Sequence, residues 1–222
     1  LKSVLNFKLE PENLKSSKSY VEMSEALINI LKNSKLFEIP VDMSSASYFI
    51  ALGAIYENIC LSNVLKIDLL QADSKIFNIL DQMGIDYTFS EKGLQIIKKV
   101  SPRSFDIDIS ECLDLAPTAS FLACFCEGRS ILKNVSNLKY KESNRINEIL
   151  KVLESFGIEF ELIEKDLVIT GSLIKEIDKL VVASDHRIVM MASLFFKTLG
   201  QGSIEPSIAV NKSFPEFFEL LG

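Results

Sequence analysis

The chain has 222 residues, 48% of them apolar and 24% charged, which suits one large or two small globular domains and excludes a disordered polypeptide. Its formal net charge is -6; a general nucleic-acid binder needs a basic face, so any anionic ligand has to be held by a local group of cations. The longest apolar stretches, such as Ile188 to Phe196, are too short to span a bilayer, and no basic-then-apolar leader is visible, so the expectation is a cytoplasmic protein with no membrane partner.

In chain order, a helix near Tyr20 to Lys32 runs into Pro40-Val41-Asp42 with neither a closing glycine nor a hairpin. Asp42 is placed to cap an apolar helix, followed by a strand over Ile59 to Val64 and a helix over Ser74 to Met83. Gly84 stands where a left-handed closing residue is wanted, and residues 85–97 alternate around Ser90-Glu91-Lys92-Gly93 as a hairpin does. The pattern returns from Asp114: a capped apolar helix, a strand over Ser130 to Val135, a helix over Asn144 to Phe156, Gly157, and a hairpin at 158–170. It starts a third time at Asp185, with a strand over Gly202 to Glu205 and a helix over Pro215 to Leu221, and stops at Gly222 before any closing strands.

The three aspartates lie 72 and then 71 positions apart, a regular period that marks a repeated unit of helix, strand, helix, strand, strand, joined by one more strand. The first and last units look incomplete, and residues outside the chain are expected to cover the edges they leave. A start at Leu1 rather than Met agrees with a piece of a longer protein.

Chemistry-bearing residues concentrate in a few short stretches: Asp114, Lys141-Glu142-Ser143-Asn144-Arg145, Asp185-His186-Arg187 and Lys212-Ser213-Phe214-Pro215-Glu216-Phe217. Only four arginines occur, and two of them, Arg145 and Arg187, fall inside these stretches. The planar fork of arginine binds phosphate or carboxylate bidentately, which lysine does not. Taken singly, each motif has a plain structural explanation. A capping aspartate belongs to its helix, Lys-Glu-x-x-Arg is a solvated helix start, and Phe214, Phe217 and Phe218 are core at helical spacing. Asp42 is assigned as a cap only, and the shared register outweighs the plain readings for the rest. Cys60, Cys112, Cys124 and Cys126 have neither disulfide-scaffold density nor zinc-ligand spacing, and His186 is the only histidine. No metal is expected, and the cysteines are expected to be buried small side chains in a reducing compartment.

Together with Ser17-Lys18-Ser19-Tyr20, Asp42-x-Ser44-Ser45-Ala46-Ser47-Tyr48-Phe49 and Gln71-x-Asp73, these motifs run in one order along nearly the whole chain. In that order they resemble the 5-enolpyruvylshikimate-3-phosphate synthase (3-phosphoshikimate 1-carboxyvinyltransferase) family, in its C-terminal half. The resemblance implies an α+β, mixed alpha/beta fold of repeated βαβαββ units, the inside-out barrel or prism of the enolpyruvate transferases. It implies that residues 1–39 end the other, incomplete domain and that 40–222 form a substrate-binding domain.

The reaction so implied moves the enolpyruvyl group of phosphoenolpyruvate to the 5-hydroxyl of shikimate 3-phosphate and releases phosphate, which calls for one acid and one base. By resemblance, Asp114 takes the hydroxyl proton, Glu142 gives and later accepts the methylene proton, and Lys141 assists while neutralising phosphate. Arg145, Arg187 and Lys212 would hold phosphoenolpyruvate; Ser17, Tyr20, Asn137, Asp114 and Lys141 would hold shikimate 3-phosphate; His186 would support a neighbour or bond to a carboxylate. No cofactor is implied, and the partners are the two substrates and the missing N-terminal half, with a monomer expected.

Two departures stand out: Asn144 where the family pattern has Asp, expected to loosen the Arg145 guanidinium, and Val41 where it has Gly. With the family's N-terminal substrate-binding segments absent, the chain alone is expected to be inactive. Two alternatives remain. One is an enolpyruvyl transferase acting on UDP-N-acetylglucosamine, against which Lys-Glu-Ser-x-Arg and Asp-His-Arg argue; the other is a non-catalytic remnant of the fold.

Overall fold

The computed structural model describes residues 18–33, 38–172 and 174–222. Helix α1 (Lys18–Asn33) buries none of its residues. The first unit follows as α2 (Met43–Ile55), β1 (Ile59–Leu61), a 3-10 turn (Ala72–Lys75), α3 (Ile76–Met83), β2 (Tyr87–Ser90) and β3 (Gly93–Ile96). The second has β4 (Asp106–Asp108), a 3-10 turn (Leu113–Leu115), α4 (Ala116–Cys124), β5 (Arg129–Lys133), a 3-10 turn (Val135–Tyr140), α5 (Arg145–Ser155), β6 (Glu159–Ile163) and β7 (Asp166–Thr170). The third comprises β8 (Lys179–Val181), α6 (His186–Leu199), β9 (Ser203–Glu205), a 3-10 turn (Ser207–Lys212) and α7 (Phe217–Leu221).

Among the described residues, only the second unit contains a whole βαβαββ set, with strand order β4-β5-β7-β6, β4 parallel to β5 and the other pairs antiparallel. The first has the antiparallel order β1-β3-β2, and the third has the parallel pair β8-β9. The three sheets are separate, and no closed barrel forms among the described residues. Helices rather than strands occupy the centre. α2, α4 and α6 pack on one another, and every residue of α4 is buried. A helix apolar all round can only be stable inside, and the small residues Ala46, Ser47, Ala51, Ala116, Ala119 and Ala192 let the three axes approach. Ser47 and Thr118 meet across α2 and α4 at 3.0 Å, satisfying two buried hydroxyls in an apolar interior. Aromatic contacts tie the units together: Phe195 of α6 lies 5.0 Å from Phe121 and 4.4 Å from Phe156, centroid to centroid, and Phe217 lies 5.8 Å from Phe49.

Gly84 and Gly157 both end their helices in the left-handed region, at φ of 72° and 71°, where a side chain would be strained. The strand predicted after the first helix of each unit runs somewhat shorter than expected. β5 stops at Lys133 because Asn134 turns left-handed, at φ of 63°. Two expectations are corrected. Asp114 is not a helix cap: Leu115 holds that place without a side-chain bond, and Pro117 in the first turn leaves α4 one fewer orphan N–H. Cys60 is exposed, because it is the outward residue of the edge strand β1, while Cys112, Cys124 and Cys126 are buried as expected.

Candidate active site

The repeat brings the starts of three helices to one wall. Asp114 lies in the turn leading into α4, Lys141 and Glu142 in the connection before α5, and Arg145 at the first position of α5. Asp185 caps α6 by accepting from the Arg187 N–H at 3.0 Å, which fixes Arg187 in the first turn, and Lys212 ends the 3-10 turn of the third unit.

Arg145 is the centre of this arrangement, with none of its side chain exposed. Its Nε donates to Asp185 Oδ2 at 2.9 Å, its Nη1 to Asp114 Oδ1 at 2.7 Å, and its Nη2 to Glu142 Oε2 and, at 3.3 Å, to Asp185 Oδ1. A buried guanidinium is stable only when so paired. None of these partners is position 144, so the asparagine there leaves the Arg145 fork fully fixed. Asp114 in turn receives Lys141 at 3.1 Å and Arg187 at 3.2 Å, and Lys212 reaches Glu142 at 3.3 Å. The wall's accessible positive charge therefore comes from Lys141, Arg187 and Lys212, whose side chains are 24%, 13% and 57% exposed.

Electrostatics follow the geometry. Burial alone would raise the Asp114 carboxyl, but Arg187, Lys141 and Arg145 outweigh it and hold the group down to about 2. Burial also opposes ionisation of Glu142, and a backbone hydrogen bond, Arg145 and Lys212 overcome it, leaving the carboxyl below its ordinary value. His186 is lowered by burial and then by Arg187, so it is neutral near pH 7. Its Nδ1 is buried with no hydrogen-bond partner among the described residues.

Tyr20 of α1 is half-buried, and its hydroxyl is raised by burial and then by the charges of Asp73 and Asp114, which places it by the same wall. Asn137 is half-buried in the 3-10 turn just ahead of Lys141 and makes no side-chain hydrogen bond to a described residue. Ser17 lies outside the described residues. Sequence reasoning placed Asp185 in a chemistry-bearing stretch and as a cap but gave it no role in the site, although it supplies two of the four bonds to Arg145; its place beside His186 and Arg187 was the available signal.

A groove of about 830 Å³ runs between α1 and the first unit, lined by Met23, Leu27, Ile30, Val41 and Met43 among others. No member of the cation cluster lines it, and an anion has no reason to prefer it to the wall.

The sequence profile of the family described as EPSP synthase (3-phosphoshikimate 1-carboxyvinyltransferase) matches residues 15–221. The 3-phosphoshikimate 1-carboxyvinyltransferase of Syntrophobacter fumaroxidans is 34% identical over 185 residues, covering 82% of this chain and 43% of the relative. That of Pyrococcus abyssi is 34% identical over 189 residues, covering 85% and 45%. Among solved structures, an EPSP synthase from Acinetobacter baumannii superposes with a TM-score of 0.66 at 27% identity, over 82% of this chain and 45% of that one. The enolpyruvyl transferase NikO of Streptomyces tendae, at 15% identity and a TM-score of 0.63, shares the fold. The chain thus spans less than half the length of these relatives, and the match across residues 15–221 shows that it belongs to the EPSP synthase family.

Proposed function

We propose that this chain supplies one substrate-binding wall of an enzyme that transfers the enolpyruvyl group of phosphoenolpyruvate to the 5-hydroxyl of shikimate 3-phosphate, with release of phosphate. The observation that carries the reading is the convergence of Asp114 and Glu142 with Lys141, Arg145, Arg187 and Lys212, drawn from two units and from positions 114 to 212. A carboxylate held at about 2 is ionised but a poor base at neutral pH. Anionic substrates that take over Lys141 and Arg187 would free Asp114 from their field and raise its basicity. The same exchange at Lys212 would release Glu142 to act as an acid.

In the first step the substrate hydroxyl oxygen bonds to the carbon that bears the phosphate, its proton passes to Asp114, and Glu142 protonates the methylene carbon. In the second, Glu142 takes a methyl proton back as the carbon–oxygen bond to phosphate breaks, so both carboxyls regain their starting states once Asp114 has passed its proton to the leaving phosphate. Cations fixed beforehand stabilise the charge that develops, with no reorganisation during the reaction. Arg145, enclosed by three carboxylates, fixes Asp114 and Glu142 for this exchange, and contacts phosphoenolpyruvate only where a carboxylate gives way. Ser17, Tyr20 and Asn137 are assigned to shikimate 3-phosphate, and His186 to a supporting place beside Arg187.

The rest of the enzyme, about as much again in the relatives, is proposed to precede this segment, with residues 1–39 ending its other domain and 40–222 forming this one. The full protein is read as a cytoplasmic monomer; no helix among the described residues is long and apolar enough to cross a membrane. Phosphate release from the two substrates should be absent with the chain alone and restored by adding the complementary half as a second polypeptide. Thermal-shift titration should show stabilisation of the restored complex by shikimate 3-phosphate. Stabilisation by UDP-N-acetylglucosamine instead, or no turnover after complementation, would overturn the reading.

A further inference from the structure

The wall contains one more carboxyl, Asp73, that the proposed chemistry does not use. It sits in the 3-10 turn ahead of α3 and is 2% exposed. Its Oδ2 is bonded to the Ser44 hydroxyl, and its Oδ1 is buried with no hydrogen-bond partner among the described residues. Every cation of the wall is committed to another carboxylate: Lys141 and Arg187 to Asp114, Arg145 to Asp114, Glu142 and Asp185, and Lys212 to Glu142. The Ser44 hydroxyl donates to Oδ2 alone, so ionisation leaves Oδ1 charged, buried and without a donor, which is costly, whereas protonation removes that charge.

We propose that Asp73 is a positioning residue that takes up a proton in mildly acid solution and so sets the net charge with which this wall meets an anion. This extends the functional reading above, since both need the wall to bind anions. Four cations there (Lys141, Arg145, Arg187 and Lys212) face three carboxylates (Asp114, Glu142 and Asp185). With Asp73 neutral the wall retains one positive charge in excess, and with Asp73 ionised it retains none.

The groups around Asp73 come from every neighbouring element. Tyr20 approaches from α1, Asp42 and Ser44 from the start of α2, Cys112 and Asp114 from the turn before α4, and Arg187 from α6. Burial is the largest influence and pushes the carboxyl up to about 6; the Ser44 bond and Arg187 oppose it, and Asp114 and Asp42 add to it. Tyr20 and Cys112 are both raised, mainly by burial, and stay neutral over the same range.

The test uses this chain and needs neither substrate. Carboxyl carbon-13 spectra of aspartate-labelled protein, compared with Asp73→Asn to assign the signal, should show Asp73 titrating near pH 6. In Ser44→Ala the midpoint should move higher, because a bond to the ionised form is lost; this variant keeps the question open to measurement if Asp73→Asn fails to fold. Sulfate, a dianion across pH 5 to 8, reports the charge of the wall. Its affinity for the native chain should fall at least about threefold as Asp73 ionises, and stay level for Asp73→Asn. Titration of Asp73 near the ordinary carboxylate value, an unmoved midpoint in Ser44→Ala, or sulfate binding that is absent or equally pH-dependent in both proteins would overturn the proposal. Loss of enolpyruvyl transfer in the complemented enzyme with the titration intact would instead overturn the functional reading alone.

Discussion

Asp114 and Asp73 share a wall and should affect stability in opposite senses. The folded value of Asp114 lies at about 2, below that of an unfolded aspartate near 3.9, so its contribution is present above the unfolded value and lost as pH falls through about 2. Its size is about 3 kcal/mol. The value for Asp73, at about 6, is raised: the native state binds its proton more tightly, so the contribution of that group, about 3 kcal/mol, is present below the unfolded value and lost as pH rises through 6. Urea unfolding of the native chain and of Asp73→Asn should therefore diverge between pH 4 and 6, with the native chain losing ground; parallel curves would refute this. A second contrast concerns the ion pairs. Asp114→Asn leaves the enclosed Arg145 and the half-buried Lys141 and Arg187 short of a counter-ion and should cost about 3–5 kcal/mol. Lys212→Ala removes a half-exposed partner and should stay within about 0.5 kcal/mol in unfolding measurements. Equal costs would show that the network does not depend on burial.

Two helices begin with an aspartate that looks the same in sequence and differs in what surrounds it. Asp42 accepts from the Ser44 and Ser45 N–H groups at the exposed start of α2, and Asp42→Ala should cost about 1 kcal/mol. Asp185 is 1% exposed, accepts from Arg187 N–H and holds Arg145, so Asp185→Ala removes a cap and two of the guanidinium's four bonds at once. Its cost should exceed about 3 kcal/mol in chemical unfolding, and a cost equal to that of Asp42→Ala would deny the link between α5 and α6. The caps, the glycines at 84 and 157 and the alternation of the two hairpins were legible in the chain, because each depends on neighbours within a few positions. Asp114 misled: its local pattern is that of a cap, while its partners lie 27, 31 and 73 residues away at Lys141, Arg145 and Arg187. The isolated oxygen of Asp73 was equally unreadable, since no local spacing reveals that every nearby cation is occupied.

The arrangement of the molecule follows from which helices have no polar face. α2, α4 and α6 lie at the centre, with α4 buried along its whole length, while no residue of α1 is fully buried. Opening α4 to solvent requires parting the units, so its amides should exchange with solvent only through global unfolding. Those of α1 should exchange orders of magnitude faster, because the helix adds little burial to hold it; its side-chain bonds to the rest include that of Ser19 Oγ to the Glu111 backbone at 3.1 Å. A ligand that bridges Tyr20 to the wall would change this order in one place. Hydrogen exchange of the complemented protein with shikimate 3-phosphate should slow α1 selectively and leave α4 as it was, since α4 is already limited by global opening. If protection appears at α4 and not at α1, or if α1 exchanges as slowly as α4 before any ligand is added, then α1 is not the element that moves onto the substrate, and Tyr20 does not hold it.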